Sequence, residues 1–381
     1  MYNCESKQSF FFYGVDVISE YIFKLQNINN LYVVEINIGH LKKTEFAKWI
    51  SILVEKNMGR LLELPENHKI IGFPPLLNLQ CDVDRIDKEE GRDIGEFVGM
   101  NFNELSINIG GDGIFPELYK QILYPIKSKD VMDIRMLDNF LNSVNLQYLQ
   151  VINLVGELFS YEYYQQLVQS LMKFSIHKHL YMTSSYVCRH IHELNELELF
   201  TFDLYIYYDN LDELIFLGNN LNVNKYIVHW IYLLHSEEQI NELTSIRKIL
   251  EPKLIEVRPI FTGENILFFK KYVFASEEDF KINYYDKQDI FAHQVMNTNF
   301  WGKLYILPNG YVYSNLNMPP LGTLENNVYD LISSEMKSHR AWRLTRDCLS
   351  PCKDCLYRYL CPSPSNYELV IGKPNLCHIN P

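Results

Sequence analysis

From about residue 100 the chain repeats one short pattern, an apolar, β-rich run followed by an amphipathic stretch. The runs are ELSINIG (104–110), LQVINLVG (149–156), HLYMTSS (179–185), FDLYIYY (202–208), KYIVHWIYL (225–233) and LIEVRPIF (254–261). From the second run onward their starts lie about 25 residues apart, the spacing of βα units around a parallel sheet. Between them, YEYYQQLVQSLMKF and EEQINELTSIRKIL carry apolar residues at helical spacing. These units are too few for a closed eight-fold barrel. The expected architecture is an open, partial (β/α) barrel.

The flanks have a different character. In the first 70 or so residues FFFYGV and LYVVEINIG read as strands, and DVISEYIFKLQNI and TEFAKWISILVEKN as helices, a small α/β module. IIGFPPLLNLQCDVD follows, broken by Pro74 and Pro75, and the charged run DRIDKEEGRD (84–93) reads as a linker or a solvated face. Near the other end, GKLYILPNGYVYSN sets Asn309-Gly310 between two alternating runs, a hairpin signal. Three domains are therefore expected: 1–95, 96–290 and 291–381.

A net charge of -12 without a basic stripe argues against a nucleic-acid surface. No apolar run approaches the ~18 residues of a membrane span. The N-terminus has no apolar core of a secretory signal, so the expected location is cytoplasmic and the thiols are expected to be reduced. The 27 Tyr and 22 Phe serve core and groove packing first, and a peptide-gripping surface second.

Five of the 8 cysteines crowd into the last stretch: Cys348, Cys352, Cys355, Cys361 and Cys377, with Cys4, Cys81 and Cys188 scattered. The C-x2-C-x5-C spacing, with one more Cys sixteen positions on, brings four soft donors within reach of one point. Cys352, Cys355, Cys361 and Cys377 suffice for a tetrahedral zinc or a four-iron cluster. A single C-x2-C knuckle favours iron–sulfur; zinc stays open. No Gly-rich phosphate loop and no Ser/His/Asp set competes, and His229, His235 and His293 read as core or surface histidines rather than ligands.

The stretch 348–377, with the PNGYVYSN hairpin and the LGTL turn upstream, resembles a SPASM domain, the auxiliary-cluster domain of peptide-modifying radical S-adenosylmethionine (SAM) enzymes. That family's core is C-x2-C-x5-C-x3-C followed by a final Cys. Cys352, Cys355 and Cys361 match the first three positions and Cys377 the last, the set that holds one auxiliary cluster. The positions of the other cluster carry Asn315, Asn327 and Ser365, so the resemblance implies one [4Fe-4S] cluster and not two. Cys348, Cys352 and Cys355 also spell C-x3-C-x2-C, the catalytic triad of radical-SAM enzymes. In that family the triad follows the first barrel strand, and Asp354 stands here in the slot usually aromatic, so Cys348 reads as accessory.

After the first run, INIGGDGIFPELYKQ places Asp112, Pro116 and Tyr119 at the triad spacing, with no Cys between Cys81 and Cys188. The family's Gly-Gly-Glu-Pro segment corresponds to Leu154–Leu158, where Gly156 and Glu157 remain; Glu157 reads as a strand-end carboxylate. MYNCES, FPPLLNLQCDVD (73–84), WGKLYILPNGYVYSNLN (301–317) and CKDCLYRYLCPSPSNYE with NLC extend the resemblance to pseudo-radical-SAM SPASM proteins of GG-leader peptide maturation. In relatives the Tyr-Asn dipeptide lies inside a first strand, which implies a module beginning upstream of Met1. The expectation is a radical-SAM-like partial barrel with an N-terminal α/β module, resembling a leader-peptide binder, and a SPASM/twitch-like C-terminal domain. It is expected to be no enzyme and to bind no SAM, its partners being a GG-leader precursor peptide and a radical-SAM maturase. The alternative is a scaffold with a Cys4 zinc site.

Overall fold

In the computed structural model, which describes residues 1–10, 12, 16–27, 30, 33–63, 99–113, 115–143, 148–196, 202–208, 210–221, 225–242, 255–282, 285–338 and 340–379, the chain opens on a hairpin of β1 (Tyr2–Asn3) and β2 (Gln8–Ser9). Helices Asp16–Gln26 and Thr44–Glu55 follow. Both are amphipathic, and they bury Ile18 and Tyr21 of the first against Phe46, Trp49 and Leu53 of the second. LYVVEINIG is not a strand where it is described: residues 33–37 are irregular and a short helix, Ile38–Leu41, starts behind them. Asn37 ends the extended stretch because its Oδ1 accepts from Gly39 N at 2.8 Å, an N-cap that turns the backbone. FFFYGV lies mostly outside the described residues, as do FPPLLNLQCDVD, Cys81 and the 84–93 run.

The βα series forms where its runs predict it. The strands are β3 (Glu104–Gly110), β4 (Val151–Gly156), β5 (His177–Thr183), β6 (Phe202–Tyr208), β7 (Val228–Leu234) and β8 (Ile255–Pro259). They pair in parallel, each with the next. HLYMTSS overshoots its strand because the helix Ser184–Arg189 begins directly after Thr183, which ends the strand and stands at the helix N-cap. Beyond β8 come β9 (Lys303–Ile306), β10 (Tyr311–Tyr313) and β11 (Gly322–Thr323). The Asn309-Gly310 turn makes β9–β10 an antiparallel hairpin, with Gly310 at φ +77° where a side chain would be strained.

β9 lies parallel against β3, so the sheet order is β11-β10-β9-β3-β4-β5-β6-β7-β8. β8 and β11 are its edges, and the barrel is open, a mixed α/β architecture around a parallel sheet. The expected 290/291 division falls inside the helix Lys287–Val295. The other division, at 95/96, lies outside the described residues.

The two faces of the sheet differ. Leu105, Ile107, Ile152, Leu154, Leu180, Leu204 and Ile206 point one way and pack with Leu137, Phe140, Leu167, Leu171 and Leu214 of the covering helices. Parallel strands need such cover on a face that cannot meet water. The opposite face mixes aromatic, charged and amide side chains. There the segment after β3 folds back, so that Leu118 and Tyr124 pack with Tyr207, Ile231, Leu233 and Ile260. Among the described residues no helix is long and apolar enough to cross a membrane.

Candidate metal centre and sheet cavity

A helical turn, Cys352–Asp354, carries the first candidate ligand, and Cys355 N closes it on Cys352 O at 3.0 Å. Cys361 N bonds Tyr357 O at 2.8 Å, turning the next segment back toward the first. Cys377 is brought in from the tail by Ala275, which donates to Leu376 O and accepts from His378 N, both at 2.9 Å. Cys352, Cys355, Cys361 and Cys377 thus line one cavity of about 30 Å³, with Phe280, Arg346 and Leu376 in its wall. Cys348 is exposed and outside it, near Thr345 Oγ1 at 3.6 Å. Cys4 and Cys188 stand elsewhere in the chain.

The donor chemistry fits a thiophilic metal. Among the described residues, the four thiols are the only soft donors lining the cavity, and no carboxylate or imidazole competes with them there. No three His, Cys, Asp or Glu side chains among the described residues sit at the mutual spacing of a bound ion. Arg346 is buried beside the thiols. Its Nη1 donates to Pro374 O at 2.8 Å and lies 4.0 Å from Cys352 Sγ, its Nε donates to Pro362 O at 2.9 Å, and its Nη2 pairs with Glu368 at 2.7 Å. Burial pushes the Cys361 thiol up to about 12, with Arg346 pulling it back. Burial also raises Cys352, again opposed by Arg346. Thiols in such a setting become thiolates when a metal replaces their protons.

The three positions that the resemblance marks as lacking a thiol are engaged in hydrogen bonds. Asn315 is buried, and its Nδ2 donates to Asn366 Oδ1 at 2.7 Å. Asn327 Oδ1 accepts from Tyr329 N at 2.9 Å where the helix Val328–Ser338 begins. Ser365 and Glu368 form a reciprocal capping box at the start of Asn366–Ile371.

Of the positions read against the triad, Asp112 is exposed and paired with Lys127 at 3.0 Å, Pro116 is exposed, and Tyr119 lines the sheet cavity. Glu157 holds the strand ends together: its Oε1 accepts from Asp112 N at 3.1 Å and lies 3.8 Å from Arg189, and its Oε2 accepts from Ser160 Oγ. His293 is buried with Nδ1 at 2.8 Å from Tyr359 O, His229 stacks on Tyr205 at 4.3 Å, and His235 N is held by Gln239.

Strand-by-strand reading of apolar content passes over a larger site, a cavity of about 410 Å³ on the mixed face of the sheet. Glu104 of β3, Asn153 of β4, His179 of β5, Tyr181, Tyr305 of β9 and Arg258 of β8 all reach it. A polar chain crosses four neighbouring strands. Lys303 Nζ lies 3.2 Å from Glu104 Oε2, Asn153 Nδ2 donates to Glu104 Oε1 at 2.7 Å, and Asn153 Oδ1 lies 3.0 Å from His179 Nδ1. Tyr181 and Tyr205 stack beside it at 4.5 Å. The available signal was alternation: within β5, His177, His179 and Tyr181 share one face while Lys178, Leu180 and Met182 share the other.

No known family's sequence profile matches the chain, and no curated protein matches it. Among solved structures, it is similar to Streptococcus suis SuiB bound to S-adenosylmethionine, with 14% identity and a TM-score of 0.49 over 87% of this chain and 86% of that one. SuiB bound to precursor peptide SuiA is similar at 12% identity and 0.43 over the same shares. The protein anSMEcpe with bound AdoMet and Cp18Cys peptide is similar at 12% and 0.45, over 68% of this chain and 87% of that one. At such values the likeness says nothing about individual residues. The expectation of a chain that is not an enzyme is corrected here. The similar structures are radical-SAM enzymes, with S-adenosylmethionine bound in SuiB and anSMEcpe, and no described feature shows this chain to be inactive.

Proposed function

We propose that this chain acts in the maturation of a ribosomally made peptide. It would bind a GG-leader precursor together with a radical-SAM maturase, and hold one [4Fe-4S] cluster of the auxiliary, SPASM type on Cys352, Cys355, Cys361 and Cys377. The observation that carries this reading is the convergence of those four thiols, separated by up to 25 positions (377 − 352), on one cavity beside the buried cation Arg346. Bound there, a cluster would supply electron transfer or local rigidity, and Arg346 would offset the charge of four thiolates. The similar SuiB structure with its precursor peptide supports the peptide-maturation half of the reading.

One observation favours a second occupant. A cavity of about 30 Å³ has room on the scale of a single ion, which fits a Cys4 zinc site that stabilises the C-terminal fold. Anaerobic purification followed by metal and sulfide analysis separates the two. The cluster reading expects about four irons with matching sulfide and a brown protein; one zinc and no sulfide overturns it in favour of the scaffold. Cys361→Ser should abolish the metal under either reading, and Cys348→Ser should leave it in place. Capture of the precursor and the maturase by the purified chain tests the partners, and a SAM-binding assay measures directly whether that cofactor is taken up.

A further inference from the structure

The chain that runs from Lys303 to His179 fixes more than positions. Glu104, paired with Lys303, can only accept, so the Asn153 amide must turn its NH₂ toward it, where it also reaches Ser106 Oγ at 3.1 Å. Asn153 Oδ1 is thereby aimed at His179 Nδ1, 3.0 Å away, and an oxygen in that place needs a donor. His179 carries its proton on Nδ1. Its Nε2 is then an acceptor without a protein partner among the described residues, on a side chain that lines the 410 Å³ cavity. Groups facing the ring are Glu104 from β3, Asp203 from β6, His229 from β7 and His177 on its own strand; burial outweighs the two carboxylates and holds the imidazole below its ordinary value.

The rest of the cavity is equipped to meet a ligand. The Tyr181 hydroxyl hydrogen-bonds to no described residue, and its ring is stacked and therefore fixed. Arg258, half-exposed at the β8 edge and paired with Glu256, brings a fork of donors on the side away from Lys303. By contrast, Gln121 and Asn366 are already spent: Gln121 bonds the backbone of Phe261 in both directions, and Asn366 joins Asn315 to Gln121 O. One aimed acceptor, one fixed phenol and one guanidinium suit a ligand that alternates N–H donors with carbonyl acceptors. The volume falls in the range of ordinary ligand pockets.

We propose that the cavity between β3–β5, β8 and β9 binds a short extended peptide segment, with a donor of the segment hydrogen-bonded to His179 Nε2 and a carbonyl or carboxylate facing Arg258. This rests on the peptide-maturation reading and places the peptide among the starts and middles of the parallel strands. Glu104 and Asn153 act as positioning residues that set the tautomer.

The test uses the full chain with histidine labelled in nitrogen-15 and an equimolar random tetrapeptide pool as the probe. Long-range proton–nitrogen correlation, with His179→Asn to assign the signal, should show the Nδ1–H tautomer; the Nε2–H tautomer overturns the proposal. Diethyl pyrocarbonate modification, followed residue by residue by mass spectrometry, should slow at His179 at least fivefold with the pool, while exposed His192 is unaffected. Arg258→Gln should raise the pool concentration needed for that protection about tenfold. Unchanged modification of His179 in the presence of the pool sinks the cavity assignment. If the chain still captures its precursor, the peptide-maturation reading stands without it; if no precursor is captured, that reading fails too.

Discussion

Arg346 and Glu368 show how much one residue can hold. Both side chains are almost fully buried, and between them they bond Pro362, Pro374, Ser365 and each other. Removing one partner leaves an uncompensated buried charge, which costs about 3–5 kcal/mol, whereas removing both costs less than the sum. Arg346→Leu and Glu368→Leu should each lower the urea midpoint strongly, and the double variant should fall short of additivity; a strictly additive result would show that the pair is not coupled. The cysteines around this pair stand out in the sequence by their crowding and spacing, and four of them line one cavity. Arg346 was not, because an arginine reads as surface until a fold buries it. His179 escaped for a related reason, since its partners Asn153 and Glu104 lie 26 and 75 positions away (179 − 153, 179 − 104) and meet it only through strand register.

Among elements, the strands of the βα series were read with bounds that shift by a few residues, because an apolar run buried on at least one face keeps its signature whatever surrounds it. LYVVEINIG departs from the expected strand because apolar content alone does not place a segment in a sheet, and Asn37 caps a helix there. The β3 and β4 ends meet through glycines in a way that composition does not reveal. Gly156 has φ +133°, and a Cβ there would stand 2.2 Å from Gly110 O. A side chain cannot be fitted without moving backbone, so Gly156→Ala should cost about 2 kcal/mol or more and loosen Glu157 from the loop after β3. Gly263 has φ +90° but open space around it, and Gly263→Ala should cost only about 1 kcal/mol. Equal losses at the two positions, measured by thermal unfolding, would show that backbone contact adds nothing at Gly156.

Across the whole molecule, burial depresses His179 and His293. Each is neutral in the folded chain, while the unfolded chain protonates its histidines near pH 6.5. Between the depressed value and about 6.5 the unfolded state holds more protons, so stability rises with pH through that window and is lost on acidification, by up to about 1.4 kcal/mol per pH unit for each group. Glu335, buried against Ser314 and the Trp342 amide, is raised by burial and works the opposite way, losing stability as pH climbs above about 4.5. The wild-type urea midpoint should therefore drop between pH 7 and 5.5. The His179→Asn/His293→Asn double variant, whose amides can keep the Nδ1 bonds, should drop less; equal slopes would exclude the two histidines as the cause.

The segment bearing Cys377, sixteen residues after Cys361, makes a β-bridge with Ala275, and His378 Nε2 lies 2.7 Å from Lys270 O just beyond it. A metal tying these two thiols would close a loop, and closing a loop removes freedom from the unfolded chain rather than adding contacts to the folded one. Occupancy of the centre should therefore be readable at the tail. With metal bound, the segment past Leu376 should resist limited proteolysis, and chelation should expose it long before the parallel sheet gives way.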